Sequence, residues 1–164
     1  FYTSPLEMMK QLEAAGVDGM VLFNRMFHPT FDIKKETATY PFNLSSSNDH
    51  RLALRFVGLM AGNVKASLCA SHGIHTAEDA VEMLLAGADV FQAVSTVYRN
   101  KLEVIGEIVK GIDEWMDSKG YSSLSDFRGK LSAKQNPDRN SYRRAQYVKM
   151  LLHADDYIAR PKLI

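Results

Sequence analysis

Along the chain, apolar residues at helical spacing alternate with short continuous apolar runs. "SPLEMMKQLEAAG" opens with Ser4 as an N-cap, Pro5 at the first helical position, Glu7 three residues after the cap and Gly16 as the stop; Leu6, Met8, Met9 and Leu12 make its apolar face. "VDGMVLFN" follows after a very short connection, and its continuous run from Met20 to Phe23 predicts a parallel strand covered on both faces. The stretch from Arg25 to Ser47 is polar and broken by Pro29, Pro41 and "LSSSND", with "FDIKKETATYPF" able to form short ancillary strands. "DHRLALRFVGLMAG" predicts a second helix with Leu52, Phe56, Val57 and Met60 facing inward, and "VKASLCA" a second strand. Thr76, with Asp79 three residues on, caps a third helix whose stripe is Ala80, Met83 and Leu84; Gly87 closes it, and "DVFQAVS" is a third strand. A longer helix is expected from about Asn100 to Lys119, with Leu102, Ile105, Ile108, Val109, Ile112, Trp115 and Met116 as core residues. "SSLSDFRGKLS" reads as one or two short turns, and "SYRRAQYVKMLLHAD" as a last amphipathic helix.

The resulting order, α-β-α-β-α-β-α, is the signature of parallel strands joined by right-handed crossovers, in a doubly wound sheet or part of a (β/α) barrel. Three strands are few for that architecture, whose full barrel form takes roughly 250 residues. The chain also opens on a helix cap without the strand that should precede it, so we expect a fragment lacking its N-terminal part. With 164 residues and 46% hydrophobic content there is material for one domain with a real core. Twenty basic against nineteen acidic residues leave a net charge of +1, so the balance favours neither nucleic acid nor an acidic membrane surface. The single cysteine, Cys69, excludes an internal disulfide framework and fits a reducing compartment as a buried structural thiol. No apolar stretch approaches the roughly 20 residues needed to span a bilayer, and the N-terminus lacks a signal-peptide pattern, so the chain reads as cytoplasmic.

In parallel α/β folds, ligands bind outside the carboxyl ends of the strands, where helix N-termini point free N–H groups outward. Three loops qualify, after Asn24, after Ala70 and after Val94. The second carries Ser71, His72 and Gly73; the third offers the hydroxyls of Ser95 and Thr96, and together they would pinch one phosphate group. The same residue types also serve as ordinary caps and turns. His72 and His75 straddle the loop, but their spacing and the lack of a third ligand argue against a metal site. Asn24 could offer its amide to a planar polar ligand or stitch its own loop together. Arg25, His28, Lys34 and Lys35 could draw an anion or form a solvated rim. The adjacent pairs Glu78–Asp79 and Asp155–Asp156 diverge on a helix and make poor acid/base partners.

"GIHTAEDAVEMLLAGADVFQAVSTVYRN" is similar to the final β-α-β unit of flavin-dependent dihydroorotate dehydrogenases, "KGYSSLSDFRGKLS" resembles the C-terminal segment of their cytosolic class, and "VLFNR" matches a strand that ends on an asparagine in that family. The resemblance covers residues 1–132, which it makes the C-terminal portion of a flavin-binding (β/α)8 TIM barrel, with 133–164 as a helical tail. It implies an α/β fold holding FMN at the carboxyl ends of its strands, and oxidation of dihydroorotate to orotate in pyrimidine biosynthesis. Carried over, Asn24 would touch the pyrimidine substrate, while Ser71, His72, Gly73, Ser95 and Thr96 would hold the FMN phosphate. Two positions depart from the family pattern: His72-Gly73 stands for a Gly-Gly pair, and Val94 for a glycine before the hydroxyl residue. The family's flavin-contacting lysine and its catalytic Cys or Ser lie upstream of the equivalent of Phe1, so no catalytic residue is assigned and the isolated chain is expected to be inactive. The expected partners are the missing N-terminal half or a second copy at open sheet edges, with no nucleic acid and no membrane. Two other readings stand beside it: a degenerate barrel that binds another phosphorylated ligand or a protein, favoured by His72 and Val94, and a small doubly wound domain without a site.

Overall fold

Helices cover one face of a three-stranded parallel sheet. The computed structural model describes residues 3–24, 26, 29–138, 140–142 and 145–153. Helix α1 (Pro5–Ala14) leads into β1 (Gly19–Leu22); a small antiparallel hairpin, β2 (Thr30–Asp32) and β3 (Thr37–Thr39), follows; then a 3-10 turn over Ser47–His50 runs into α2 (Arg51–Met60). Strand β4 (Ser67–Ser71), helix α3 (Ala77–Ala86), strand β5 (Val90–Gln92), helices α4 (Val94–Asn100) and α5 (Glu103–Lys119), and α6 (Ala145–Leu152) complete the order. The sheet runs β1-β4-β5, every pairing parallel.

Local chemistry explains most of these boundaries. Thr76 Oγ1 accepts the Asp79 N–H at 3.2 Å and Asp79 Oδ2 accepts the Thr76 N–H at 3.0 Å, so the start of α3 is a reciprocal capping box. Gly87 ends α3 at φ 113°, and a Cβ there would collide with Ala61 Cβ, so both conformation and contact require glycine. Met83 and Ala80 are fully buried, as the helical stripe requires.

Among the described residues the sheet is covered on one face rather than on both. Met20, Leu22, Leu68 and Ala70 are buried against the helices, whereas Val21 and Val90 stay 51% and 54% exposed. Register places Val21 beside Cys69 and Cys69 beside Val90, so these three form one row on the uncovered face among the described residues. A continuous apolar run marks a strand that is apolar on both faces, but only one of those faces finds cover here. Cys69 is half-buried in that row, and burial pushes its thiol pKa up, which keeps it protonated at neutral pH.

The helices differ in two places. Val104, Ile108 and Ile112 form the buried stripe of α5, while Leu102, Ile105 and Val109 are 69%, 47% and 51% exposed and Leu52 of α2 is 55% exposed. Hydrophobic spacing marks an apolar face without saying which part meets a neighbour, and α5 packs on α3 and α4 along the narrower stripe. Beyond α5, residues 121–133 strap back over the helix ends, with Gly129 N–H donating to Leu84 O and Leu131 N–H to Leu85 O, both at 2.9 Å. Phe127, only 1% exposed, anchors this strap. The Ala133 N–H donates to Gly58 O at 2.8 Å and the Tyr142 hydroxyl to Leu131 O at 2.7 Å, so backbone and side-chain bonds continue past residue 132. Among the described residues no helix is long and apolar enough to cross a membrane.

Candidate functional site

Strand β4 ends on Ser71, and the chain then takes two consecutive left-handed steps, His72 at φ 86° and Gly73 at φ 75°. A cleft of about 350 Å³ opens over the carboxyl ends of the strands, and Asn24, Ser71, His72, Gly73 and Ser95 all line it, together with Phe42, Ser45, Val94 and Tyr98. Its described lining carries no carboxylate, lysine or arginine, so hydroxyls, amides and the His72 imidazole are the groups a polar ligand meets.

Thr96 is not part of this lining. The expected strand "DVFQAVS" stops at Gln92, and Ser95 and Thr96 lie in the first turn of α4. Thr96 is fully buried, its Oγ1 accepting from Asn100 Nδ2 at 3.2 Å, so of the two hydroxyls only that of Ser95 reaches the cleft. The β-branched residues there favour a strand only weakly, and burying Thr96 inside the fold outweighs that preference.

Gly73 also serves the fold. Its N–H donates to Ser45 Oγ at 3.2 Å, and a Cβ on it would strike the backbone of Ser46, Asp49 and His50. That turn is held from beneath: the buried His50 bonds Glu82 Oε2 through Nε2 at 2.6 Å and the Ser47 carbonyl through Nδ1, while Asp49 Oδ2 accepts the Ser46 N–H at 2.8 Å. The Ser46-x-x-Asp49 spacing is a legible turn signal, but its role in shaping the cleft, like those of Ser45 and His50, depends on long-range packing that the sequence pattern does not reveal.

His72 retains the left-handed backbone of a glycine while carrying a side chain, a conformation that costs roughly 1–2 kcal/mol for an L-residue. His72→Gly is therefore expected to raise folding stability by about 0.5–1 kcal/mol, after the entropy of the freer unfolded chain is subtracted. Urea unfolding checks this; an unchanged or lower midpoint would show that contacts of the imidazole outweigh the strain.

The remaining candidates scatter. The Lys34 and Lys35 N–H groups donate to Asp32 Oδ1 in the hairpin turn, away from the cleft lining. His75 bonds Ser45 Oγ through Nε2 at 3.3 Å, and Asp79 is occupied by capping. Arg25, His28, Asp155 and Asp156 lie outside the described residues. At the mouth, the exposed rings of Phe42 and Tyr98 meet edge-on at 6.2 Å.

Parallel strands with helices on one face, an opposite face left open among the described residues and a polar cleft at their carboxyl ends define part of the wall of a (β/α)8 barrel, which binds ligands at that end. The chain belongs to the dihydroorotate dehydrogenase family, whose model matches residues 3–116. The catalytic subunit of dihydroorotate dehydrogenase B (NAD(+)) from Pyrococcus abyssi is 34% identical over 120 residues, which are 71% of this chain and 40% of that protein. Dihydroorotate dehydrogenase A (fumarate) from Lactococcus lactis subsp. lactis is 41% identical over 61 residues, 37% of this chain and 20% of that one. The crystal structure of DHODH from Eimeria tenella in complex with ferulenol shares the fold, with a TM-score of 0.60 at 19% identity over 76% of this chain and 33% of that one. The chain thus spans about 40% of the length of the B-type relative it matches.

Proposed function

We propose that this chain forms the phosphate-holding end of an FMN-dependent dihydroorotate dehydrogenase-like barrel. The observation that carries this reading is the convergence of Asn24, Ser71, His72 and Ser95 on one cleft whose described lining has no carboxylate. The donor set suits a phosphate. Ser95 Oγ accepts from the Ser45 N–H at 3.1 Å, and its own O–H has no acceptor among the described residues. Ser71, His72 and Ser95 would grip the phosphate, with Gly73 shaping the loop between them, while Asn24 offers its amide to a pyrimidine ring. Bound there, the flavin would accept the hydride that leaves dihydroorotate as it becomes orotate, a reaction of pyrimidine biosynthesis. Within this reading the chain binds and orients; the proton-abstracting residue lies elsewhere in the barrel, so the isolated chain gives no turnover with dihydroorotate. The row Val21, Cys69 and Val90 and the edges of β1 and β5, unpaired among the described residues, would receive the remaining strands or a second copy, in the cytoplasm.

Ser95→Ala is expected to weaken FMN binding about tenfold and to leave riboflavin, which lacks the phosphate, unaffected, because about 1.4 kcal/mol is a typical worth for one hydrogen bond to a charged group. Equal losses for both flavins would mean that Ser95 does not meet the phosphate. A second reading, a barrel that takes a different phosphorylated ligand, is favoured by Val94, which is 59% exposed at the cleft where the family has glycine. Binding of other phosphate monoesters in preference to FMN would select it.

A further inference from the structure

Ser45 is 2% exposed and stands where the three segments that wall the cleft meet. Its backbone N–H donates to Ser95 Oγ at 3.1 Å, while its own Oγ accepts the Gly73 N–H at 3.2 Å and pairs with His75 Nε2 at 3.3 Å. Of the groups it touches, the Gly73 amide and the Ser95 hydroxyl differ in the protons left for a ligand. A backbone amide has one hydrogen, and that of Gly73 is spent on Ser45. A serine hydroxyl has one hydrogen and two lone pairs. Ser95 gives a lone pair to Ser45, and its hydrogen has no acceptor among the described residues.

We infer that Ser45 is a positioning residue that decides which donor an anionic group in this cleft meets, withdrawing the Gly73 amide and presenting the Ser95 hydroxyl. The ligand chemistry is that of a phosphate monoester, and the inference rests on the phosphate reading above. Ser45 is held on both sides: the turn that follows it presses on Gly73, and Arg99 donates to the Leu44 carbonyl at 3.3 Å just before it.

The test is a double-mutant cycle on the chain, reading affinities for FMN and riboflavin. Ser45→Ala keeps the backbone bond to Ser95 Oγ and frees the Gly73 amide, so it is expected to tighten FMN about threefold, Ser95→Ala to weaken it about tenfold, and the double variant to bind FMN more tightly than Ser95→Ala alone, with riboflavin unaffected throughout. In the same Ser45→Ala chain, hydrogen exchange of the Gly73 amide is expected to quicken at least tenfold. Ser45→Cys, close in size and still a weak acceptor, is expected to gain less than Ser45→Ala and serves if the alanine variant does not fold. Weaker FMN binding by Ser45→Ala would overturn the inference, as would a double variant that binds FMN no better than Ser95→Ala, since either would show that the Gly73 amide is not what Ser45 keeps from the ligand. If the unmodified chain does not prefer FMN to riboflavin, the phosphate reading itself fails and the inference goes with it; a clear preference that Ser45→Ala leaves unchanged overturns the inference alone.

Discussion

Gly73→Ala is expected to cost the chain about 3 kcal/mol of folding stability, combining the cost of a left-handed residue with that of forcing atoms into a packed site. The added Cβ would lie 2.8 Å from the carbonyl carbon of Asp49 and 2.9 Å from Ser46 O, and closer still to the His50 nitrogen. These are backbone atoms, so no side-chain rotation relieves the contact. Nor is the turn free to retreat, because His50 fastens it to Glu82 at 2.6 Å and the Ser46–Asp49 capping box closes it on itself. Moving it would break a hydrogen-bonded, buried imidazole away from its acceptors, which is costly in its own right. Urea unfolding of the variant measures the loss; a change below about 1 kcal/mol would mean that the turn is looser than its contacts indicate.

Phe127→Ala is expected to cost more, about 3–5 kcal/mol, the range for truncating a fully buried aromatic residue. Phe127 is 1% exposed, with its ring centroid 4.9 Å from that of Trp115 and 5.3 Å from that of Tyr121. Its removal takes away the centre of that aromatic group and leaves a cavity under the strap whose N–H groups serve Leu84 and Leu85. Since Trp115 is the only tryptophan in the sequence, its fluorescence reports this site directly. Both the emission and the denaturation midpoint are expected to shift, and an unchanged midpoint would show that the strap contributes little to the fold. The cleft is built from other residues, so FMN binding measured where the variant remains folded is expected to change little.

Legibility in the sequence followed the range of the interactions. The capping box at Thr76 and Asp79, the stop at Gly87 and the stripe of α3 are local patterns, and they appear as read. The hairpin within the long loop was legible from its alternation and breakers. What failed depended on what lies across from a residue: the uncovered row Val21, Cys69 and Val90, the exposed Leu102, Ile105 and Val109, and the conversion of the expected strand end into α4. At the cleft, the positions after the strands could be found because parallel folds gather ligand groups there. The inward turn of Thr96 could not be, since it follows from packing with Asn100 and the interior. Gly73 shows the same limit. Its identity signals a special backbone, but only the structure reveals that a turn 23 to 27 residues earlier packs against it and that Ser45 takes its amide.

The most direct measurement is a fluorescence titration of the unmodified chain with FMN and, separately, with riboflavin. Binding of FMN at least about tenfold tighter than riboflavin is expected, since the cleft is read as a grip on the phosphate, worth about 1.4 kcal/mol or more. Equal affinities, or no binding of either flavin by a chain shown to be folded, would contradict that assignment.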